Sequence, residues 1–276
     1  MTKAMFVMST GRCSTQFLAH TLESLGTDVV VEHEPIGPQY RPRLAYRKPG
    51  KLFDTLGRFV PIQRKLIEIE DHVAAGRRYV DAGWPTFAWL DYLAGRFGEA
   101  FEFVHLVRNP FPTAASILTH GFFSDRKGLR AKTGLIFATD RNVLYPQFAE
   151  SYDGFTPYEK SLYHWLEVNA YILTAHDKPG FRGLFRFEDL FSGDAAELER
   201  LAGTLLGQDV TGLATEPYDQ HSGKLKTEIA LGHEGLIDEV TALSLRLGYS
   251  EAELQAAMDT EKLVETYSKK RVAKSA

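Results

Sequence analysis

The chain has 276 residues, 44% hydrophobic and 25% charged, with a formal net charge of −4; this excludes a disordered or fibrous chain and argues against a nucleic-acid binder that works through overall charge. Its length suits one large α/β domain or two small ones. One cysteine, Cys13, rules out an intrachain disulfide and a cysteine-based zinc cluster, which fits a reducing compartment and makes the cytoplasm the default.

In chain order, the first element is AMFVM (4–8), a short apolar run that reads as a buried strand. It falls far short of a signal-peptide core, and no other apolar run approaches the roughly 20 residues that cross a bilayer, so a soluble protein without a membrane span is expected. The stretch STQFLAHTLESLG follows. Its Phe17, Leu18, Thr21, Leu22 and Leu25 share one helical face, with Gly26 as the stop. DVVVEH (28–33) is the second strand, and strand, helix, strand implies a parallel pair, placing this strand beside the first.

Residues 35–64 carry Pro35, Pro38, Pro42, Pro49 and Pro61 and read as a long excursion with little regular structure. RYVDA (78–82), FEFVHLV (101–107) and GLFRF (183–187) complete the set of strands. Thr156, Pro157 and Glu159 open a helix over 157–176, and Ser250 with Glu253 opens another from 251 to about 268. No repeat, linker or break in composition divides the chain, so a single domain over 1–268 is expected, followed by a basic tail, 269–276.

Ligands of parallel sheets sit beyond the carboxyl ends of the strands, where residues 9–16 lie. A loop feeding a helix N-terminus offers backbone N–H groups and the positive end of the helix dipole to an anion. Gly11 permits close backbone approach, Arg12 adds a planar charge, and Ser14 and Thr15 add hydroxyls. No G-x-x-x-x-G-K-[ST] loop is present, position 19 is alanine where a cysteine phosphatase needs arginine, and the dinucleotide G-x-G-x-x-G pattern is missing. The loop by itself leaves two readings open, a phosphate cradle and a polar turn capping a helix. Arg108, at the end of the fourth strand, and Ser116, eight residues later, are placed to meet a second anionic group.

Together STGRCSTQFL and VRNPFPTAAS resemble the two cofactor motifs of sulfotransferases that use 3'-phosphoadenosine 5'-phosphosulfate (PAPS). The first is similar to the family's 5'-phosphosulfate loop, R-S-G-T-T, and the second to its 3'-phosphate motif, R-x-P-x-D-x-x-x-S. RFEDL (186–190) resembles the family's R-Y-E-D-L segment, and SGKLK (222–226) its Gly-Lys or Gly-Arg segment. The matches run in family order from residue 9 to about 226. Four departures stand out: Cys13-Ser14 replaces Ser-Gly, Gln16 replaces a second threonine, Pro112 or Thr113 replaces the aspartate of the second motif, and Trp84 stands where relatives carry a lysine.

The resemblance implies a three-layer α/β/α fold around a central, mostly parallel five-stranded sheet, of the P-loop-NTPase-like sulfotransferase type. It implies PAPS as co-substrate, adenosine 3',5'-bisphosphate as product, and no metal. Gly11, Arg12, Cys13, Ser14, Thr15 and Gln16 would hold the 5'-phosphosulfate, with Arg108, Ser116, Gly223 and Lys224 at the 3'-phosphate. Cys13 would serve as a small loop residue rather than a nucleophile, and Glu188 and Asp189 as structural groups. Because the second strand should lie beside the first, its carboxyl end brings Glu34 near the Arg12 loop, and a glutamate after this strand is the implied base of relatives. His33 and Glu32 compete with it, and strand alternation turns His33 away from the side shared by Glu32 and Glu34. Two other classes remain, a nucleoside or small-molecule kinase and a non-catalytic nucleotide-binding relative.

The expected acceptor is a small molecule, lipid or carbohydrate. Two basic stretches are candidates for its pocket or for plain solvated loops: Arg41, Arg43, Arg47, Lys48 and Lys51 with Tyr40, Tyr46 and Phe53, and Arg126, Lys127, Arg130 and Lys132. The oligomeric state is not legible from these features.

Overall fold

AMFVM forms β1 (Ala4–Met8), buried at every position. A parallel strand is covered on both faces and therefore reads as apolar throughout. β4 (Phe101–Val107) is also buried at every position, though it carries Glu102 and His105 among its apolar residues, and β3 (Tyr79–Asp81) is equally buried but ends on an acid. With β2 (Val30–Glu32) and β5 (Phe181–Arg186) these strands make a wholly parallel sheet in the order β2-β3-β1-β4-β5.

The computed structural model describes residues 1–26, 28–35, 37–50, 59–123, 133–215, 225 and 228–268. In chain order the helices are α1 (Thr15–Ser24), α2 (Pro42–Arg47), α3 (Val60–Ala74), α4 (Leu90–Phe97), α5 (Pro110–Thr119), α6 (Pro157–Leu173), α7 (Phe187–Leu190), α8 (Ala196–Leu206), α9 (Glu234–Arg246), α10 (Glu251–Ala257) and α11 (Thr260–Ser268). Two compact units result, Met1–Val107 with Tyr171–Pro217, and Arg108–Ala170 with Tyr218–Ala276. No described helix is long and apolar enough to cross a membrane.

The first unit contains the sheet. Met5, Val7, Val31, Val80, Val104 and Leu106 point to one face, where they pack with Leu18 and Leu22 of α1 and Leu198, Leu201 and Leu205 of α8. Phe6 points to the other face, its ring 5.8 Å from Phe97 of α4, and Tyr79 stacks on His72 of α3 at 6.3 Å. Alternation along each strand thus builds helix, sheet and helix layers.

Four expectations need correction. β2 does not neighbour β1, because β3 pairs with both; the half-buried β2 takes the edge, and the fully buried β3 takes the interior. The excursion after residue 35 contains α2 and the start of α3, because Pro42 and Pro61 occupy first-turn positions where a missing N–H costs nothing. The helix from 251 is two helices, with Asp259 Oδ1 accepting from Lys262 N at 3.0 Å to start the second. β5 begins at Phe181, and its register with β4 shifts between Phe103 and His105, opposite Gly183 at φ 139°.

The second unit is organised around α6. Trp165 Nε1 donates to the Arg108 carbonyl at 2.8 Å and Tyr158 O–H to the Phe111 carbonyl at 3.0 Å. Both capping boxes form as expected: Thr156 N donates to Glu159 Oε2 at 2.8 Å while Glu159 N donates to Thr156 Oγ1 at 3.2 Å, and Ser250 pairs likewise with Glu253. The expected tail, 269–276, lies outside the described residues.

Candidate active site

The loop after β1 is left-handed at Gly11 (φ 77°), Arg12 (φ 62°) and Ser14 (φ 59°). For residues other than glycine this conformation costs on the order of 1–3 kcal/mol each, and such strain clusters at ligand sites. A chain turned this way gathers backbone N–H groups in the manner of anion-binding nests. Ser14 stands at the N-cap of α1, but its side chain makes no capping hydrogen bond. Gly11 N donates to Ser9 Oγ at 3.1 Å, which fixes the turn. The Cys13 thiol is 1% exposed and donates to the Gly11 carbonyl at 3.3 Å, so this position offers a ligand backbone rather than sulfur. Gln16 is exposed on the first turn of α1.

Trp84 begins a 3-10 helix, Trp84–Trp89, after β3. A Cβ at Gly11 would lie 3.0 Å from Trp84 Cγ, so the indole packs directly over the loop. An aromatic wall therefore stands where the resemblance would have put an ammonium group.

Glu34 reaches this loop by a different route from the expected one. The segment leaving β2 turns through a left-handed Glu34 (φ 48°) and passes over Gly83, where a Cβ would come within 3.1 Å of Glu34 Cα. Burial raises the Glu34 carboxyl above its ordinary range, and the nearby Arg12 guanidinium opposes that shift. His33 Nε2 lies 3.2 Å from Thr15 Oγ1 and 3.7 Å from Glu34 Oε1. His33 and Glu34 are thus neighbours, because β2 ends at Glu32 and strand alternation ends with it. Glu32 instead accepts hydrogen bonds from Lys65 Nζ (2.8 Å) and Tyr79 O–H (2.6 Å) on the α3 side of the sheet.

The sequence reading did not single out Asp81, and it took Tyr40 only as an aromatic of the first basic stretch. Asp81 closes β3 with no exposed surface, and its Oδ2 accepts from Tyr40 O–H at 2.8 Å. Burial pushes the Asp81 carboxyl up to about 8; the Tyr40 hydrogen bond opposes this, Glu32 and Glu34 add to it, and Lys65 counters it. The available signal was an acid closing the otherwise apolar Tyr79–Val80 run.

In the second unit Arg108 follows β4, and its Nη2 donates to Tyr267 O–H at 3.1 Å. Asn109 Oδ1 caps α5 by accepting from Phe111 N at 3.2 Å. Ser116 lies two turns into α5, 3% exposed. Gly223 and Lys224 lie outside the described residues, as do Lys51, Phe53, Arg126, Lys127, Arg130 and Lys132. In RFEDL, Arg186 holds Asp189 with its Nε 3.0 Å from Oδ2. Tyr40 and Tyr46, two aromatics of the first basic stretch, are 2% and 6% exposed and belong to the core.

A parallel sheet covered by helices on both faces, with a strained anion-type loop between its central strand and the next helix, defines a doubly wound α/β protein whose ligand end is the carboxyl edge of the sheet. No family model and no curated protein matches the chain. Among solved structures it is similar to the sulfotransferase domain from the curacin biosynthetic pathway, with a TM-score of 0.51, 15% identity, and coverage of 91% of this chain and 99% of that one. It is also similar to a sulfotransferase from Alicyclobacillus acidocaldarius, with a TM-score of 0.45, 15% identity, and coverage of 95% and 99%. The fold is the three-layer sulfotransferase fold that the paired motifs imply.

Proposed function

We propose that the protein is a sulfotransferase that moves the sulfonate group of PAPS to a hydroxyl of a small-molecule, lipid or carbohydrate acceptor. The observation that carries this reading is the strained loop at Gly11, Arg12 and Ser14, with the half-buried Glu34 carboxylate beside Arg12. A cation and backbone donors for a leaving phosphate, next to a base, are what the transfer requires.

In the proposed reaction the acceptor oxygen attacks sulfur in line as the bond from sulfur to the 5'-phosphate oxygen breaks. Glu34 takes the acceptor's proton, and Arg12 with the loop N–H groups receives the charge that develops on the leaving phosphate. With Trp84 in place of a lysine, no ammonium from this position shares that load, so Arg12 carries more of it. Arg108 and Ser116, with the Gly223–Lys224 segment, are assigned to the 3'-phosphate on the strength of the motif resemblance.

Thermal unfolding tests the donor assignment. Adenosine 3',5'-bisphosphate should raise the melting point, because a ligand at 100 times its dissociation constant adds about 2.7 kcal/mol, and ATP should do much less. The reverse preference would favour a kinase. An acceptor screen with labelled PAPS then tests turnover.

A further inference from the structure

Tyr267 stands outside the motifs that carry the resemblance, whose matches end near residue 226. It lies in the last turn of α11, which packs on α5, the helix that holds Ser116. Two contacts converge on it. Its hydroxyl accepts from Arg108 Nη2 at 3.1 Å, and its carbonyl accepts from Leu225 N at 3.1 Å. Leu225 is the described residue of SGKLK, so one tyrosine touches both Arg108 and the segment assigned with it to the 3'-phosphate.

The Arg108 contact determines what this hydroxyl can do. A guanidinium only donates hydrogen bonds, so the phenol oxygen is the acceptor and its own hydrogen is directed elsewhere. Among the described residues nothing accepts that hydrogen. A phenol, unlike a carboxylate, brings no negative charge to such a contact, so it fixes the guanidinium plane without cancelling the cation. The main chain of Arg108 is held as well, its carbonyl accepting from Trp165 Nε1 at 2.8 Å. A steadied cation therefore has a hydroxyl donor at its side, and Tyr267 is half-buried rather than enclosed. Phosphate oxygens only accept, and a hydroxyl polarised by an adjacent cation suits them.

We infer that Tyr267 is a further binding residue of the proposed donor site: its oxygen is held by Arg108 and its O–H donates to the 3'-phosphate of the nucleotide. This rests on the proposed assignment of Arg108 to that phosphate. It makes α11 part of what tells a 3'-phosphorylated nucleotide from one with a plain 3'-hydroxyl.

The test is isothermal titration of adenosine 3',5'-bisphosphate and adenosine 5'-monophosphate into the native protein and Tyr267→Phe. The substitution keeps the ring, and the Leu225 contact is made by main chain. Affinity for the bisphosphate should fall about tenfold, the worth of one hydrogen bond to a charged group, and affinity for the monophosphate should not change. A second measurement uses the native protein labelled at the tyrosine Cζ carbons, with the Tyr267 resonance identified by its loss in Tyr267→Phe. That resonance should shift when the bisphosphate binds and stay in place with the monophosphate. A native preference for the bisphosphate that Tyr267→Phe keeps in full, or a Tyr267 resonance that the bisphosphate leaves unmoved, overturns the role of Tyr267 and leaves the donor reading standing. An equal loss for both nucleotides also overturns it, because a hydroxyl that only supports the fold would act on both. No preference for the bisphosphate in the native protein overturns the donor reading itself, and the role of Tyr267 with it.

Discussion

Thr15 Oγ1 and His33 Nε2 lie 3.2 Å apart, tying the first turn of α1 to the segment that leaves β2, although β3 separates β1 from β2 in the sheet. The link brings two candidate bases to one loop and makes them separable by mutation. Glu34→Gln removes the carboxylate but keeps its shape, so turnover should fall by about 10²–10⁴-fold, the usual worth of a general base. Nucleotide binding, read as the melting-point rise with adenosine 3',5'-bisphosphate, should persist. His33→Ala should cost less, since the imidazole supports Thr15 and Glu34 without replacing either. Full turnover in Glu34→Gln with loss in His33→Ala would transfer the base to the histidine.

Gly11→Ala should both destabilise the protein and weaken nucleotide binding. The residue sits at φ 77°, and a methyl group there would meet Trp84 Cγ at 3.0 Å. Left-handed strain and the contact together should cost about 1–3 kcal/mol in denaturant unfolding. A second substitution, Trp84→Ala, should recover the steric part and leave the backbone part. Equal stability of the native protein and Gly11→Ala would mean that the loop relaxes freely and is not the rigid cradle proposed.

These local features were legible because their causes are local. β1 and β4 read correctly to the residue, since each is a buried run dominated by apolar and aromatic residues, and the Arg12 loop follows β1 directly. The position of β2 was not legible: strand, helix, strand establishes a parallel sheet but not adjacency, and β3, which separates the two, arrives about 70 residues after β1. α2 and α3 were hidden because Pro42 and Pro61, read as breakers, are helix starters. Asp81 gains its meaning only through burial against Tyr40, 41 positions away, and no spacing rule records that contact.

Arg108 offers a test of the motif assignment in the second unit. Arg108→Ala should weaken adenosine 3',5'-bisphosphate binding more than binding of the nucleotide that lacks the 3'-phosphate, because a charged hydrogen bond to phosphate is lost only in the first case. Tyr267→Phe removes the hydroxyl that accepts from Arg108 Nη2 at 3.1 Å and should lower affinity by less. Isothermal titration of the two nucleotides against each variant measures both effects. An equal loss for both nucleotides would detach Arg108 from the 3'-phosphate and leave it as a structural partner of Tyr267.

Glu159 sets an acid limit on the second unit. Its Oε1 accepts from Gly232 N at 2.7 Å and His233 N at 2.8 Å, and its Oε2 from Thr156 N at 2.8 Å, so one carboxylate both caps α6 and pins the chain ahead of α9. Burial alone would raise this carboxyl, but the hydrogen bonds from Thr156, Gly232 and His233 outweigh it and hold the group below its ordinary value of 4.5. A depressed carboxyl contributes stability that is complete above the unfolded value and is lost as pH falls through the folded one. Unfolding free energy should therefore decline below about pH 4.5, and Glu159→Gln should be less stable at pH 7 with a flatter acid limb. The loss at neutral pH should be about 1–3 kcal/mol, because an amide cannot accept with both of its terminal atoms and leaves buried N–H groups unpaired. An unchanged acid limb in Glu159→Gln would show that other carboxylates govern the transition and that this junction opens without them.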